Sequence, residues 1–428
     1  MLTLKRILVI SHNSISNTGS MGKTLAALFD EFKQDYLYQL YFHSYSSNVK
    51  MCNSSYEITD KNVLKSLFSF KTPGGLKKWE NVKPENESVN NAWKSIYIYG
   101  RERNAVKLFA RDIMWKCSRW DSKKLNNWIK AIQPDVIFYA AGYSMFSMDI
   151  AIKISQRYNI PLITYFCDDY YDFDFGGKYD AFIAKLRLKL YKKKVAELVA
   201  KSADMVFISE SMRDKYDELF KKRGQVIMTP YTFKGKEKTG AAIPFIISYA
   251  GSVGNNRWKT ILKIGMALDE INANGTRGML DVYSNIEFDY ISDELSNCNS
   301  IRLKGFVGAD KLRDVYANTD FLLHAEPFSE ADIVRIKHSV STKIADSLAS
   351  QRRFIAVGPS GIASIDYLKN NNAAYVIDNP DDILLKLKMI LDDPTMSKEI
   401  VDNAAELAEK NHNKEKNYIK LKEIFENV

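Results

Sequence analysis

Two cation-bearing stretches in the second half of the chain offer the clearest chemistry. In HSVSTKIADSLASQRRFIAVGPSG (338–361), Ser341 or Thr342 can cap a helix that carries Lys343 in its first turn. The helix dipole disfavours a cation there. A bound phosphate relieves the conflict, because the same helix end presents unpaired N–H groups. Asp346 follows one turn later, within reach of ribose hydroxyls. Without a ligand, the stretch is a capped helix with a surface lysine. In YAGSVGNNRWKT (249–260), a strand-like run ends in Gly251-Ser252, and Arg257 and Lys259 then open an amphipathic helix. A small residue at such a turn lets a ligand approach the backbone. An arginine a few residues on can fold back onto a diphosphate with its fork of donors. The plainer reading is an ordinary helix with a surface cation.

The first half carries two weaker signals. SHNSISNTGSMGKT (11–24) ends in Gly22-Lys23-Thr24, as a P-loop does, but Asn17 stands where that motif requires glycine. A turn from Gly19 to Gly22 fits better: either its amides meet an anion or sugar hydroxyl, or it is only tight. ITYFCDDYYDFDFGG (163–177) places Asp168 and Asp169 at the C-terminal end of a buried strand. Four carboxylates within seven residues (Asp168, Asp169, Asp172, Asp174) repel one another, so their clustering invites a reason. A polar acceptor-binding edge, a D-x-D metal site at Asp172 and Asp174, and a solvated acidic loop are the three readings.

These residues need a scaffold, and the pattern supplies one. Short β-branched runs alternate with helical patterns, which predicts parallel α/β layers. In the first half, strands are expected at Arg6–Ser11, Val136–Tyr139, Leu162–Phe166, Met205–Ile208 and Val226–Met228, with a helix at Gly22–Phe32. Tyr231–Ile243 has no periodicity and reads as a linker. The pattern then restarts: strands at Phe245–Ala250, Leu280–Tyr283, Ile301–Lys304, Phe321–His324, Phe354–Val357 and Ala373–Ile377, and helices at Arg257–Ile271, Lys311–Ala317 and Ser341–Ser350. The prediction is two Rossmann-like domains, 1–235 and 243–410, facing each other across a ligand cleft, with 411–428 a final helix.

The 428 residues are 46% hydrophobic and 26% charged, which excludes a mostly disordered chain. Cys52, Cys117, Cys167 and Cys298 are scattered, with no zinc or redox pair, and suit a reducing compartment. The N-terminal apolar run is too short for a signal peptide, and no window of about 20 residues is apolar enough to span a bilayer. The formal net charge is +9. Residues 101–130 and 181–202 each carry a net +6, so the remainder is slightly acidic. Bases interleaved with Phe109, Met114, Trp115, Trp120 and Trp128 read as a face for an anionic membrane, or else as a solvated lysine-rich surface. No nucleic-acid-binding module is present.

Taken together, the N-terminal strand and glycine loop, PDVIFYAAG, IPLITYFCDD, ADMVFISESM, YAGS followed by NRWKTILKI, and STKIADSLASQRRFIAVGP resemble the GT-B glycosyltransferases, most of all the retaining family four of nucleotide-sugar transferases. The resemblance covers nearly the whole chain. It implies that Gly251 and Arg257, with Lys259 as substitute, hold a donor diphosphate, and that Ser252, Ser341, Thr342 and Lys343 complete the site. The family's nucleotide-binding helix carries two glutamates seven residues apart. Here Asp346 stands at the later, ribose-binding position, and His338 departs from the earlier, sugar-binding one. His338 and Glu330 are the candidates for the donor sugar. The family's His-Asp pair appears as Cys167-Asp168, or shifted to Asp168-Asp169, and Asp168 would orient or deprotonate the acceptor. Also implied are a UDP-linked donor, no required metal, a final helix crossing back to the first domain, and bacterial polysaccharide or glycolipid assembly. The expected location is cytoplasmic, peripheral on the inner face of the plasma membrane. Three alternatives remain: a non-catalytic partner subunit of the same fold, a nucleotide-sugar epimerase, and a magnesium-dependent ATP-using kinase.

Overall fold

Strands of a parallel sheet covered by helices on both faces read as unbroken apolar runs, and residues 7–10 (ILVI) are such a run, fully buried. The computed structural model of the chain describes residues 5–16, 20–43, 51–69, 71–77, 104–173, 175–176, 180–238, 243–392 and 397–428. The chain divides into two compact units: Met1–Ile227 with Tyr418–Val428, and Met228–Asn417.

In unit 1 the strands are β1 (Ile7–Asn13), β2 (Leu37–His43), β3 (Ser54–Glu57), β4 (Gly75–Lys77), β5 (Val136–Ala141), β6 (Leu162–Phe166), β7 (Asp204–Phe207) and β8 (Gln225–Val226). Its helices are α1 (Ser20–Phe29), α2 (Asp60–Ser69), α3 (Ala105–Lys116), α4 (Lys123–Ile132), α5 (Met145–Tyr158), α6 (Ala181–Lys201) and α7 (Glu210–Phe220). The sheet runs β4-β3-β2-β1-β5-β6-β7-β8, parallel except for β4 against β3. Strand order reverses between β1 and β5. Many large aromatics are core: Trp115, Tyr56, Tyr139, Tyr165 and Phe138 are among the largest fully buried side chains.

Unit 2 holds β9 (Phe245–Ala250), α8 (Arg257–Ile271), β10 (Gly278–Tyr283), α9 (Asp289–Ser296), β11 (Ile301–Leu303), α10 (Ala309–Asn318) and β12 (Phe321–Ala325). It continues with α11 (Glu330–Ile336), α12 (Thr342–Ala349), β13 (Arg353–Val357), α13 (Ala363–Asn370), β14 (Tyr375–Ile377), α14 (Ile383–Asp392) and α15 (Ser397–Asn411). Its all-parallel sheet runs β11-β10-β9-β12-β13-β14, with the reversal between β9 and β12. The last helix, α16 (Lys414–Glu426), begins in unit 2, and from Tyr418 onward it belongs to unit 1. There Leu421, Ile424 and Phe425 join the unit 1 core.

Several expected bounds shift by one to three residues, those of β1, β7, α10 and β14 among them. The first helix starts at Ser20 and ends at Phe29, and β8 is Gln225–Val226, ahead of the expected Val226–Met228. Residues 228–238, read as domain end and linker, are irregular but anchored within unit 2. Gly235 N donates to Ala349 O at 2.9 Å. A Cβ on Gly235 would come within 2.0 Å of Ser350 O.

Candidate functional site

In open α/β sheets, ligands bind beyond the C-terminal strand ends where strand order reverses. In unit 2 that place is the end of β9 and β12, and the cation-bearing residues converge there. Gly251 follows β9 directly, and its backbone lies against the Lys343 ammonium: a Cβ on Gly251 would stand 2.7 Å from Lys343 Nζ and 2.8 Å from the Tyr249 hydroxyl. Stretches that are distant in sequence thus meet in one site. Tyr249 is buried and donates to Ser252 O at 2.6 Å, which fixes the turn. Burial raises its phenol pKa.

Arg257 opens α8 after two left-handed residues, Asn255 (φ 53) and Asn256 (φ 57). Asparagine visits that region more readily than most side chains. Arg257 Nε and Nη2 each lie 2.8 Å from Glu326 Oε2. Glu326 follows β12 directly and is buried. Burial works against its charge, but Arg257 and His324 outweigh it and hold the carboxyl below its usual range. Burial likewise works against Arg257, and the neighbouring Glu326, Tyr249 and Asp332 keep it firmly protonated. His324 Nε2 stands 3.1 Å from Glu326 Oε1. Gly358 is small because a Cβ there would meet Glu326 Cβ at 2.8 Å. Asn256 Nδ2 donates to buried Asp332 at 2.8 Å, and the Ser329 hydroxyl donates to the same carboxylate. Two of the five guanidinium N–H donors are spent on Glu326, so Arg257 is oriented with donors left over for an anion.

The other expected donor residues are placed unevenly. Ser341 stands at the N-cap of α12 with no side-chain cap bond, and Thr342 begins the helix. Asp346 is turned to its own unit: Oδ1 accepts from Thr232 N at 2.6 Å and Thr232 Oγ1 at 3.0 Å. Burial raises its carboxyl pKa. Lys259 is exposed, with its ammonium 5.6 Å from the Trp258 ring centroid. Glu330 is exposed at the start of α11, and His338 is half-buried beyond the end of that helix. Gly19 lies outside the described residues.

At the reversal point of unit 1, the ends of β1, β2 and β5 bring together His12, His43 and Tyr143. The two imidazoles stack at 5.8 Å, and Tyr143 sits 5.7 Å from His12. Tyr143 also meets Tyr170 at 5.6 Å and Phe175 at 5.7 Å. Asp168 is exposed at this edge and accepts from Tyr170 OH at 3.4 Å. Asp169 is buried and occupied: it accepts from Lys215 Nζ at 2.6 Å, Tyr216 OH at 3.2 Å and Tyr171 N at 3.0 Å. Asp172 pairs with Lys192 and Lys215. Burial works against its charge, and the two lysines hold its carboxyl low. Asp169 and Asp172 therefore find their counter-charge in lysines. Asp174 lies outside the described residues. Among the described residues, no group of three His, Cys, Asp or Glu could hold a metal ion. In the glycine loop, a Cβ on Gly22 would strike Ser16 Oγ at 2.5 Å and Ser14 O at 2.8 Å, and Thr24 is buried.

Sequence reasoning passed over Glu326, Asp332 and Tyr249 in unit 2, and His12, His43 and Tyr143 in unit 1. One signal was available: FLLHAEP places Glu326 immediately after a buried strand, as CDD does for Asp168.

No protein-family model matches the chain, and no curated protein matches it in sequence. Solved structures do match in fold. Anabaena HepE in complex with UDP superposes with a TM-score of 0.63 at 11% identity, over 99% of this chain and 100% of that one. Sucrose-phosphate synthase from Thermosynechococcus elongatus gives 0.63 at 10% identity, over 99% of both chains. TarM gives 0.62 at 11%, again over 99% of both. The chain thus has the GT-B fold of these glycosyltransferases: two parallel-sheet, Rossmann-like units.

Proposed function

We propose that the chain is a glycosyltransferase that moves a sugar from a nucleoside diphosphate sugar, UDP-linked, to a hydroxyl of a glycan or lipid-linked acceptor. The observation that carries this reading is the meeting of Gly251, Lys343 and the Glu326-oriented Arg257 at the strand-order reversal of unit 2. Arg257, Lys343 and the N-terminus of α12 stabilise charge developing on the leaving diphosphate, so this reading asks for no metal. The carboxylate of Asp346, His338 and Glu330 serve ribose and donor sugar. Asp168 orients or deprotonates the acceptor, on an edge lined by His12, His43 and Tyr143. Retention of anomeric configuration, a role in surface polysaccharide or glycolipid assembly, and a cytoplasmic site at a membrane bearing the acceptor complete the proposal. HepE bound to UDP, with the same fold, supports the choice of nucleotide.

The test is thermal unfolding against UDP, GDP, dTDP, ADP and ATP, each with and without magnesium. A ligand at about 100 times its Kd adds about 2.7 kcal/mol to the folded state. Stabilisation by UDP without magnesium is expected, followed by UDP release from a UDP-sugar when acceptor is added. A shift by ATP only with magnesium would instead favour the kinase, against which buried Thr24 counts. UDP-sugar conversion without acceptor would indicate an epimerase. No shift with any nucleotide favours a non-catalytic subunit, the reading that His338 in place of the family's glutamate supports.

A further inference from the structure

The basic stretches acquire a specific meaning once their lysines are sorted by partner. On α6, Lys192 pairs with Asp172, and Lys194 with Asp149 and Glu197, so both charges are spent internally. Buried Arg187 is likewise bound to Asp112 of α3 at 3.1 Å. Lys185, Lys189 and Lys193 are exposed and make no ion pair among the described residues. At 100° per residue they share one face with Phe182, Leu186 and Leu190. Those three apolar side chains are also exposed, Phe182 by 81%. Exposed phenylalanine in a line with leucines is costly in water and is not a feature of an ordinary solvated helix.

The neighbouring helices repeat the pattern. The α2 helix packs against α3, and α3 against α6. On α2, Phe68 is 81% and Leu64 50% exposed, beside exposed Lys61 and Lys65. On α3, Ile113 is 48% exposed. Asp60 accepts from Arg111 and Trp115, and Asp112 from Arg187, so both carboxylates are engaged within the helix layer, while the exposed Glu197 of α6 is paired with Lys194.

We propose that the outer faces of α2, α3 and α6 form a docking surface for an anionic lipid bilayer, with Phe68 and Phe182 entering the headgroup region and the lysine row set against lipid phosphates. Apolar side chains alternating with lysines that make no ion pair among the described residues match the chemistry of that interface. A second copy of the chain fits poorly, since a two-fold contact would bring the lysine rows face to face. The inference deepens the lipid-linked acceptor of the proposed function. Nucleotide binding is read separately, so the failure of one does not conceal the other.

The experiment is flotation of the full chain with vesicles of phosphatidylcholine, with and without phosphatidylglycerol, at low and high salt. Binding is expected only with phosphatidylglycerol, weakening as salt screens the lysines. The triple variant Lys185→Glu/Lys189→Glu/Lys193→Glu should lower partitioning on the order of a hundredfold or more. Phe68→Ser/Phe182→Ser should lower it with the charges intact. Both variants should keep the wild-type melting temperature and the UDP-induced shift. The proposal is overturned if the chain does not float with phosphatidylglycerol vesicles, or if both variants float like wild type. It is also overturned if soluble polyphosphate binds while vesicles do not, or if sedimentation reveals a dimer that the same substitutions dissociate.

Discussion

A guanidinium half-buried against a buried carboxylate keeps a single orientation, and losing it has two consequences that separate experimentally. Arg257→Ala is expected to lower turnover on the order of a hundredfold or more, as for a lost charge-stabilising donor. It should also cost about 3–5 kcal/mol of stability, because Glu326 stays buried without its cation. Lys343 is exposed, so Lys343→Ala should show a comparable loss of turnover with little change in melting temperature. Initial rates with a UDP-sugar, measured beside melting curves, distinguish the two, and near-normal turnover in both variants refutes the donor site. Gly251→Ala tests the same place from the backbone. Its methyl would displace the Lys343 ammonium and the Tyr249 hydroxyl. A shift of about 1 Å in a catalytic group costs roughly a hundredfold, and kcat should fall more than UDP affinity. Gly251, Arg257 and Lys343 were legible in the sequence because each sits at odds with its local setting, or offers donors at the mouth of a strand. Glu326 and Asp332 were not, because a carboxylate after a strand shows its value only when its arginine or asparagine partner is brought to it by the fold. His12, His43 and Tyr143 come from three different strand ends, and only the strand order makes them neighbours.

At the scale of elements, the ends of unit 2 are tied together by one histidine. His412 follows α15, and its Nδ1 stands 2.7 Å from Thr229 O while Nε2 faces the Tyr367 hydroxyl at 3.0 Å. The carbonyl requires a proton on Nδ1, so neutral Nε2 accepts from Tyr367. Burial lowers the imidazole pKa to about 4, despite the bond to Thr229 that favours the charged form. In the unfolded chain a histidine titrates near 6.5. Between those values the unfolded state binds more protons, so stability falls as pH drops from about 6.5 toward 4 and is fully present above 6.5. The loss reaches about 3 kcal/mol at the lower end. His412→Asn should flatten this part of the stability–pH curve in urea titrations, and an unchanged slope would refute the assignment. Elements with a clear pattern were read well: the buried strands β6 and β9 and the amphipathic α8 have their expected bounds. The strands β2 and β3 passed unnoticed, because Gln39 and Ser55 interrupt their apolar pattern. Yet both side chains are buried, Gln39 satisfied by Ser11 and by the amide of Ile15.

For the molecule as a whole, the decisive feature is that the chain's last residues complete the first core. Phe425 is buried against Phe29, Phe32 and Phe138, with ring centroids 6.5, 5.8 and 6.0 Å away. Lys5 Nζ donates to the carbonyls of Phe425 and Val428 at 2.5 and 2.8 Å, which joins the two chain ends. Unit 1 is therefore completed by residues that follow all of unit 2, whereas unit 2 has a hydrophobic core of its own. Phe425→Ala should cost about 3–5 kcal/mol, the usual penalty for emptying a buried phenylalanine site. In a unit of this size that lowers the melting temperature by roughly 10 °C. Calorimetry should then resolve two transitions, the one weakened by Phe425→Ala being distinct from the one raised by UDP. A single transition moved by both would mean that the units unfold as one cooperative body, and that nucleotide bound to unit 2 stabilises the core which Phe425 closes.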